Sequence, residues 1–219
     1  MKYYLYLSKS KIEMLAAQIP SSALKGVSAE FKANIGVLSS TVKAAEAPAA
    51  DNVFSKTEAV AKHLKKLGKV GTISEPKLYV GGMLPMRWGT LWDYASDLLF
   101  FSGESNGRHV ALVGASASAI GAPLRVESQH SLEYYSLRFL NGMLESKLVL
   151  AEDEPEQKSP EQHPRDHVSY MRAIGKATSQ LPQEVQGVEF IARVLFVDQA
   201  ATPGLIVATP LFAYLSEEA

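Results

Sequence analysis

The sequence predicts an α+β protein with a mainly antiparallel sheet of hairpins flanked by three or four helices. Three observations carry that prediction. Strict two-residue alternation runs from Val27 to Val37, the pattern of a strand with one wet face. Asn106-Gly107 lies between apolar runs, a pairing that favours a type I′ hairpin because both central residues need positive φ. Helical patterns interrupt the strands singly instead of in regular βαβ alternation, and the chain reads as one domain over residues 1–219.

Residues 3–7, rich in Tyr and Leu between polar neighbours, suit a buried strand. Ser10-Lys11-Ile12-Glu13 has the S-x-x-E spacing of a capping box, and Ile12, Leu15, Ala16 and Ile19 share a helical face until Pro20 ends the run. In the long strand Val27, Ala29, Phe31, Ala33, Ile35 and Val37 form the dry side, with Glu30 and Lys32 on the wet one. The Ala-rich stretch 43–52 reads as a loop. Ser55-Lys56-Thr57-Glu58 is a second capping box, opening a helix with Val60, Leu64 and Leu67 on its apolar face and Gly68 at its end.

Strands follow across residues 77–121, folding back at Asn106-Gly107. The layout from Phe101 to Val110 returns from Phe196 to Leu205, predicting a second, similar hairpin. Residues 131–150 fit either a hairpin turning at Asn141-Gly142 or a helix with Leu132, Tyr135, Phe139 and Met143 on one face. An acidic flexible loop at about 151–166 holds six acidic residues and three prolines against two basic residues, the composition of a solvated connection. A helix then starts near Pro164, carries Val168, Met171, Ile174, Thr178 and Leu181 at near-helical spacing, and stops at Pro182. The uncharged stretch Gln199–Ser216 contains Pro203, Gly204 and Pro210, and reads as two strands and a turn, not a membrane span.

Of the 219 residues 47% are hydrophobic and 21% charged, the balance of a soluble globular protein with one sizeable core. Lys and Arg number 22 against 23 for Asp and Glu, so a net charge of -1 supplies no general field for a polyanion, and nucleic acid is not an expected partner. The absence of cysteine removes disulfides, thiolate metal sites and a cysteine nucleophile together. The apolar run Tyr3 to Leu7 is too brief for a signal-peptide core, so the expected location is cytoplasmic, with no membrane partner.

Three groups of residues can carry chemistry. Arg87 stands beside Trp88 and near Trp92, and an arginine over an aromatic face binds an anion or a flat ring; packing of the tryptophans under the arginine stem accounts for the same residues. The small-residue stretch from Gly114 to Gly121 lets backbone N–H groups approach a phosphate, with Ser116 and Ser118 as further donors, although close backbone packing explains it equally. His163, Asp166 and His167 lie at a spacing that can hold a metal, but Pro164 at the first helical position leaves His163 at the cap, and the acidic neighbours suit a helix N-terminus. His63 sits among lysines on a helix face, and neither His109 nor His130 has a Ser and an Asp close by in sequence.

The segments YYLYLSKSKIEMLAAQIP at 3–20, YVGGM at 79–83, VALVGASASAIG at 110–121 and ATPLFAYL at 208–215 are similar to an uncharacterised family of bacterial domain-of-unknown-function proteins. The resemblance covers most of the chain. It implies no activity and no catalytic residue, and it suggests a setting among bacterial stress or defence modules. The expected function is a non-enzymatic recognition module, binding a small molecule or a protein partner through Arg87, Trp88, Trp92, Ser116 and Ser118, without a cofactor. Two alternatives stay open. One is a metal-dependent hydrolase or phosphoryl-transfer enzyme using His163, Asp166 and His167, or a constellation around His109; the other is a structural or assembly subunit that forms a homo-oligomer through its strand edges.

Overall fold

The computed structural model describes residues 2–20, 52–91, 95–121, 167–181 and 184–216. The expected strand at 27–37, the loop at 43–52 up to its last residue, the ambiguous stretch 131–150 and the acidic segment 151–166 lie outside them. The chain divides into two compact units, one of Ser8–Val70 and one of Met1–Leu7 with Gly71–Ala219.

In the first unit α1 (Lys9–Ala16) and α2 (Val53–Lys66) pack on each other. Both helices start upstream of the capping boxes. Ser8, not Ser10, is the N-cap of α1, and Asn52 caps α2 by accepting a 2.9 Å hydrogen bond from the Phe54 N–H. The S-x-x-E patterns therefore sit within the helices. Ile12, Ala16 and Ile19 are buried as their spacing predicts, as are Val60 and Leu64, whereas Leu67 has already left the helix and is exposed. Gly68 has φ +64°, and the N–H groups of Gly68 and Lys69 donate to the carbonyls of Lys65 and Leu64. This is a Schellman ending, which needs a residue that tolerates the left-handed region.

The second unit corrects the predicted fold class. Over both units strands make up 48% of the described residues beside three helices, and in this unit five strands close into a barrel instead of forming a sheet of hairpins flanked by helices. The strands are β1 (Tyr3–Leu7), β2 (Val70–Gly71), β3 (Tyr79–Leu91), β4 (Ala95–Ser105), β5 (Arg108–Ala115), β6 (Gln186–Asp198) and β7 (Gly204–Leu215). β7 pairs with β5, β5 with β4, β4 with β3 and β3 with β6, and β6 returns to β7, so the ring has no edge. All of these pairs are antiparallel except β5 with β7. β1 takes up the side of β7 that β5 vacates, since β5 pairs with Gly204 to Ala208 and β1 with Phe212 to Leu215. Closure is invisible to local periodicity, because a period of two says which face is dry but not which edges meet.

The second hairpin exists as predicted, joining β6 to β7, but Gly204–Leu215 is one strand and not two. Val194 pairs with Ala208 and Phe196 with Val207, leaving Leu195 as an extra residue in β6. Ile191 pairs with Phe212 and Ala192 with Pro210, leaving Leu211 as an extra residue in β7. Each bulge flips the alternation and sharpens the twist that a small barrel needs. Pro210 is tolerated within the strand because it sits where the register slips.

Both faces of the wall are apolar over β4, β5 and β7. Leu99, Phe101, Val110, Leu112, Ile206 and Ala208 fill the interior with Val80, Leu84, Met86, Val188 and Phe190. Leu98, Phe100, Ala111, Val113, Leu205 and Val207 face outward beneath α3 (His167–Ser179), which presents Tyr170, Ala173, Ile174 and Ala177. Burying a side chain such as Phe101, which is 0% exposed, contributes about 2–3 kcal/mol. Val168, expected on the packed stripe of this helix, is 66% exposed. Among the described residues no helix is long and apolar enough to cross a membrane.

Candidate functional site

Trp88 lies on the inward set of β3, next to the end of the barrel where β6 begins. Its ring stacks on Phe101 at 6.0 Å and 22°, and Phe101 meets Tyr6 edge-on at 6.5 Å. The indole Nε1–H donates to Gln186 Oε1 at 2.8 Å. The tryptophan is therefore held on its face and at its polar edge while staying half-buried. Gly114 has a specific reason to be small: a Cβ there would come within 2.6 Å of the Tyr6 hydroxyl oxygen.

Strand alternation separates the neighbours of this tryptophan. Arg87 points to the outer face of the wall, in register with Ser102. Ser116 and Ser118 form a single 3-10 turn directly after β5; Ser116 is buried and Ser118 half-buried. The turn is tied down by an Ile120 N–H bond to the Leu5 carbonyl and a bridge between Tyr6 and Ala119. It leaves β5 at the same end of the barrel as Trp88, because Ala115 pairs with Leu98 and Trp88 with Phe101. Trp92 lies outside the described residues.

The outer face holds a second polar group that sequence reasoning did not assemble. Ser102 Oγ lies 3.0 Å from His109 Nε2, and Thr178 Oγ1 of α3 lies 2.7 Å from both Ser102 Oγ and the Ile174 carbonyl. Burial lowers the pKa of His109 below its ordinary value, and Glu104, its cross-strand partner, acts in the opposite direction. The signal was present in the turn. Asn106 and Gly107 have φ of 52° and 68°, so the two-residue turn pairs Ser105 with Arg108 and Glu104 with His109, which puts Ser102 on the same face one pair further on. A serine and a histidine at this distance have the geometry of a nucleophile and base, but Ser102 is only 4% exposed and its oxygen is shared with a helix threonine.

His167 begins α3 with its Nδ1 at 3.4 Å from Asp198 Oδ2, and Asp198 Oδ1 accepts from the N–H groups of Ala200 and Ala201. The carboxylate beside His167 is thus one that orders the β6–β7 turn. His163 and Asp166 lie outside the described residues, as does His130. Among the described residues no group of three His, Cys, Asp or Glu side chains is placed to hold a metal ion. In the helical unit burial pushes the Lys11 ammonium down to about 7.

Comparison with curated proteins gave no match, and neither did comparison with solved structures. A family model matches residues 2–217, nearly the whole chain and all four of the segments that carry the resemblance. The chain belongs to that family, described as a family of unknown function (DUF7019).

Proposed function

We propose that this protein is a non-enzymatic recognition module of the cytoplasm that takes a small molecule or a protein partner at the Trp88 end of the barrel. The observation that carries the reading is the fixed indole, stacked on Phe101 and hydrogen-bonded to Gln186 yet still partly open. A rigid aromatic at the mouth of an apolar barrel offers contact area at little cost in conformational entropy, which is what a binding platform requires. Ser118, half-buried on the turn at the same end, would add a hydroxyl to orient an occupant. Arg87 belongs to the opposite face of the wall and would not join Trp88 in one pocket. The version of the hydrolase alternative built around His109 would need Ser102 to reach a substrate, and that side chain is covered.

The test is native mass spectrometry of protein purified without a tag from its source cells, followed by the same measurement on Trp88→Ala. A bound mass or partner on the wild type that is lost from a folded Trp88→Ala variant supports the reading. A bound species retained by the variant, or a bare chain under conditions that preserve noncovalent complexes, argues against this end of the barrel as the binding face.

A further inference from the structure

Among the described residues, the interface between α3 and the barrel is largely apolar, with His167 beside Asp198 at the start of the helix and one hydrogen-bonded chain nearer its C-terminal end. Leu98, Phe100, Val113, Leu205 and Val207 meet the underside of the helix. Between them Ser102 links His109 on β5 to Thr178 on α3. Among the described residues, β4 sets Glu104 opposite the imidazole, β7 sets Leu205 beside it with Asp198 of β6 next in register, and α3 contributes Thr178 through Ser102 and carries His167, the partner of Asp198, at its start. The adjacent Arg108 directs its guanidinium to the carbonyls of Ile73 and Ser74. Arg87 of β3 lies beyond Ser102.

We propose that His109 is a proton-operated latch for α3: the neutral ring holds the C-terminal half of the helix on β4 and β5, and protonation favours states in which that half lifts and the ring meets water. The polarity of the chain follows the ring. A neutral imidazole with its proton on Nδ1 accepts from Ser102 at Nε2, and Thr178 then donates to Ser102. A charged ring must donate at Nε2, which turns the Ser102 proton toward Thr178 and the Thr178 proton toward the Ile174 carbonyl. What drives opening is solvation of the imidazolium, which is more stable in water than in the half-buried position His109 holds in the closed state. A folded pKa below the ordinary ~6.5 means that the closed state is fully favoured above that pH and loses ground as pH falls through it. Opening uncovers Ile174, Ala177 and the barrel residues they cover.

Amide hydrogen exchange on the full chain, corrected for intrinsic rates, tests the latch between pH 7.5 and 5. The expected result is that protection at residues 174–179 is lost as pH falls, while protection in β5 is not. His109→Gln, whose side-chain oxygen can accept from Ser102 near the Nε2 position but does not titrate, is expected to remove that difference. Glu104→Gln, a change at an exposed residue, is expected to move the midpoint to lower pH by withdrawing the charge that favours the imidazolium. An equal pH response in helix and strand overturns the proposal, as does a helix response that survives His109→Gln. Should His109→Gln fail to fold, Glu104→Gln decides: a midpoint that does not move refutes the latch.

Discussion

Lys11→Met probes the amine buried in α1. The side chain is 8% exposed, and burial takes its pKa from 10.5 to about 7. At 1.36 kcal/mol per unit, that drop corresponds to about 5 kcal/mol between a folded unit that must hold the charge and an unfolded chain that solvates it. The folded pKa lies below the unfolded one, so between about 7 and 10.5 the unfolded state binds more protons and stability rises with pH. The penalty is complete below about 7 and gone above 10.5. Methionine has similar length and nothing to protonate. Its advantage over wild type should therefore be largest at pH 7 and shrink by about 1.4 kcal/mol for each pH unit above it. Urea titrations at pH 7, 8 and 9 measure this, followed by circular dichroism at 222 nm, because the helical unit carries α1 and α2 while both tryptophans lie in the other unit. Parallel pH profiles for wild type and variant would refute the account of Lys11 as a desolvated amine.

Three further outcomes follow from local geometry. Gly114→Ala should destabilise the barrel by about 1–3 kcal/mol through overlap with the Tyr6 ring, and the loss should be smaller in a Tyr6→Leu background, so an unchanged loss in the double-mutant cycle rules out the clash. Asn52→Ala should cost about 1 kcal/mol by removing the cap on Phe54, whereas Ser10→Ala, at an exposed position inside α1, should stay within about 0.5 kcal/mol; the reverse order in thermal melts would restore the capping box read from sequence. Asn106→Val should lower the melting temperature by several degrees, about 1–2 kcal/mol of left-handed strain, and Asn106→Gly should be near neutral; equal effects of the two would show that the turn does not need positive φ.

What was legible in the sequence is what local chemistry decides. Asn106-Gly107 announces a turn because few other residue pairs accept its dihedral angles, and Gly68 ends α2 for the same reason. The helix starts were misplaced because S-x-x-E describes a favourable cap without excluding a better one, and Asn52 with a free side-chain oxygen lay three residues before Ser55. Leu195 and Leu211 hid the course of β6 and β7 for a different reason: each bulge shifts the inward set by one residue, so a period-two reading loses phase in mid-strand. The pairing of Trp88 with Gln186 spans 98 residues, and no turn or cap encodes it. Arg87 and Trp88, grouped by adjacency, are driven apart by the alternation that the strand prediction itself implied.

The reach of β7 explains why the fold class was the least local of these readings. This last strand bonds β6 along one side, and along the other first β5, in parallel, and then β1. Its partners include Tyr3 and Arg108, so the wall closes only when the end of the described chain meets segments far upstream. Loop-closure entropy must be met before such pairings stabilise anything, which predicts folding on the slow side for a β-rich unit of this size. The β4–β5 hairpin, with its short turn and Phe100, Phe101, Leu112 and Val113 already in register, can form without β7, but Phe101 and Leu112 stay open to water until β6 and β7 complete the ring. Closure is thus what turns two-faced apolar strands from an aggregation hazard into a core, and the parallel β5–β7 seam is where it happens.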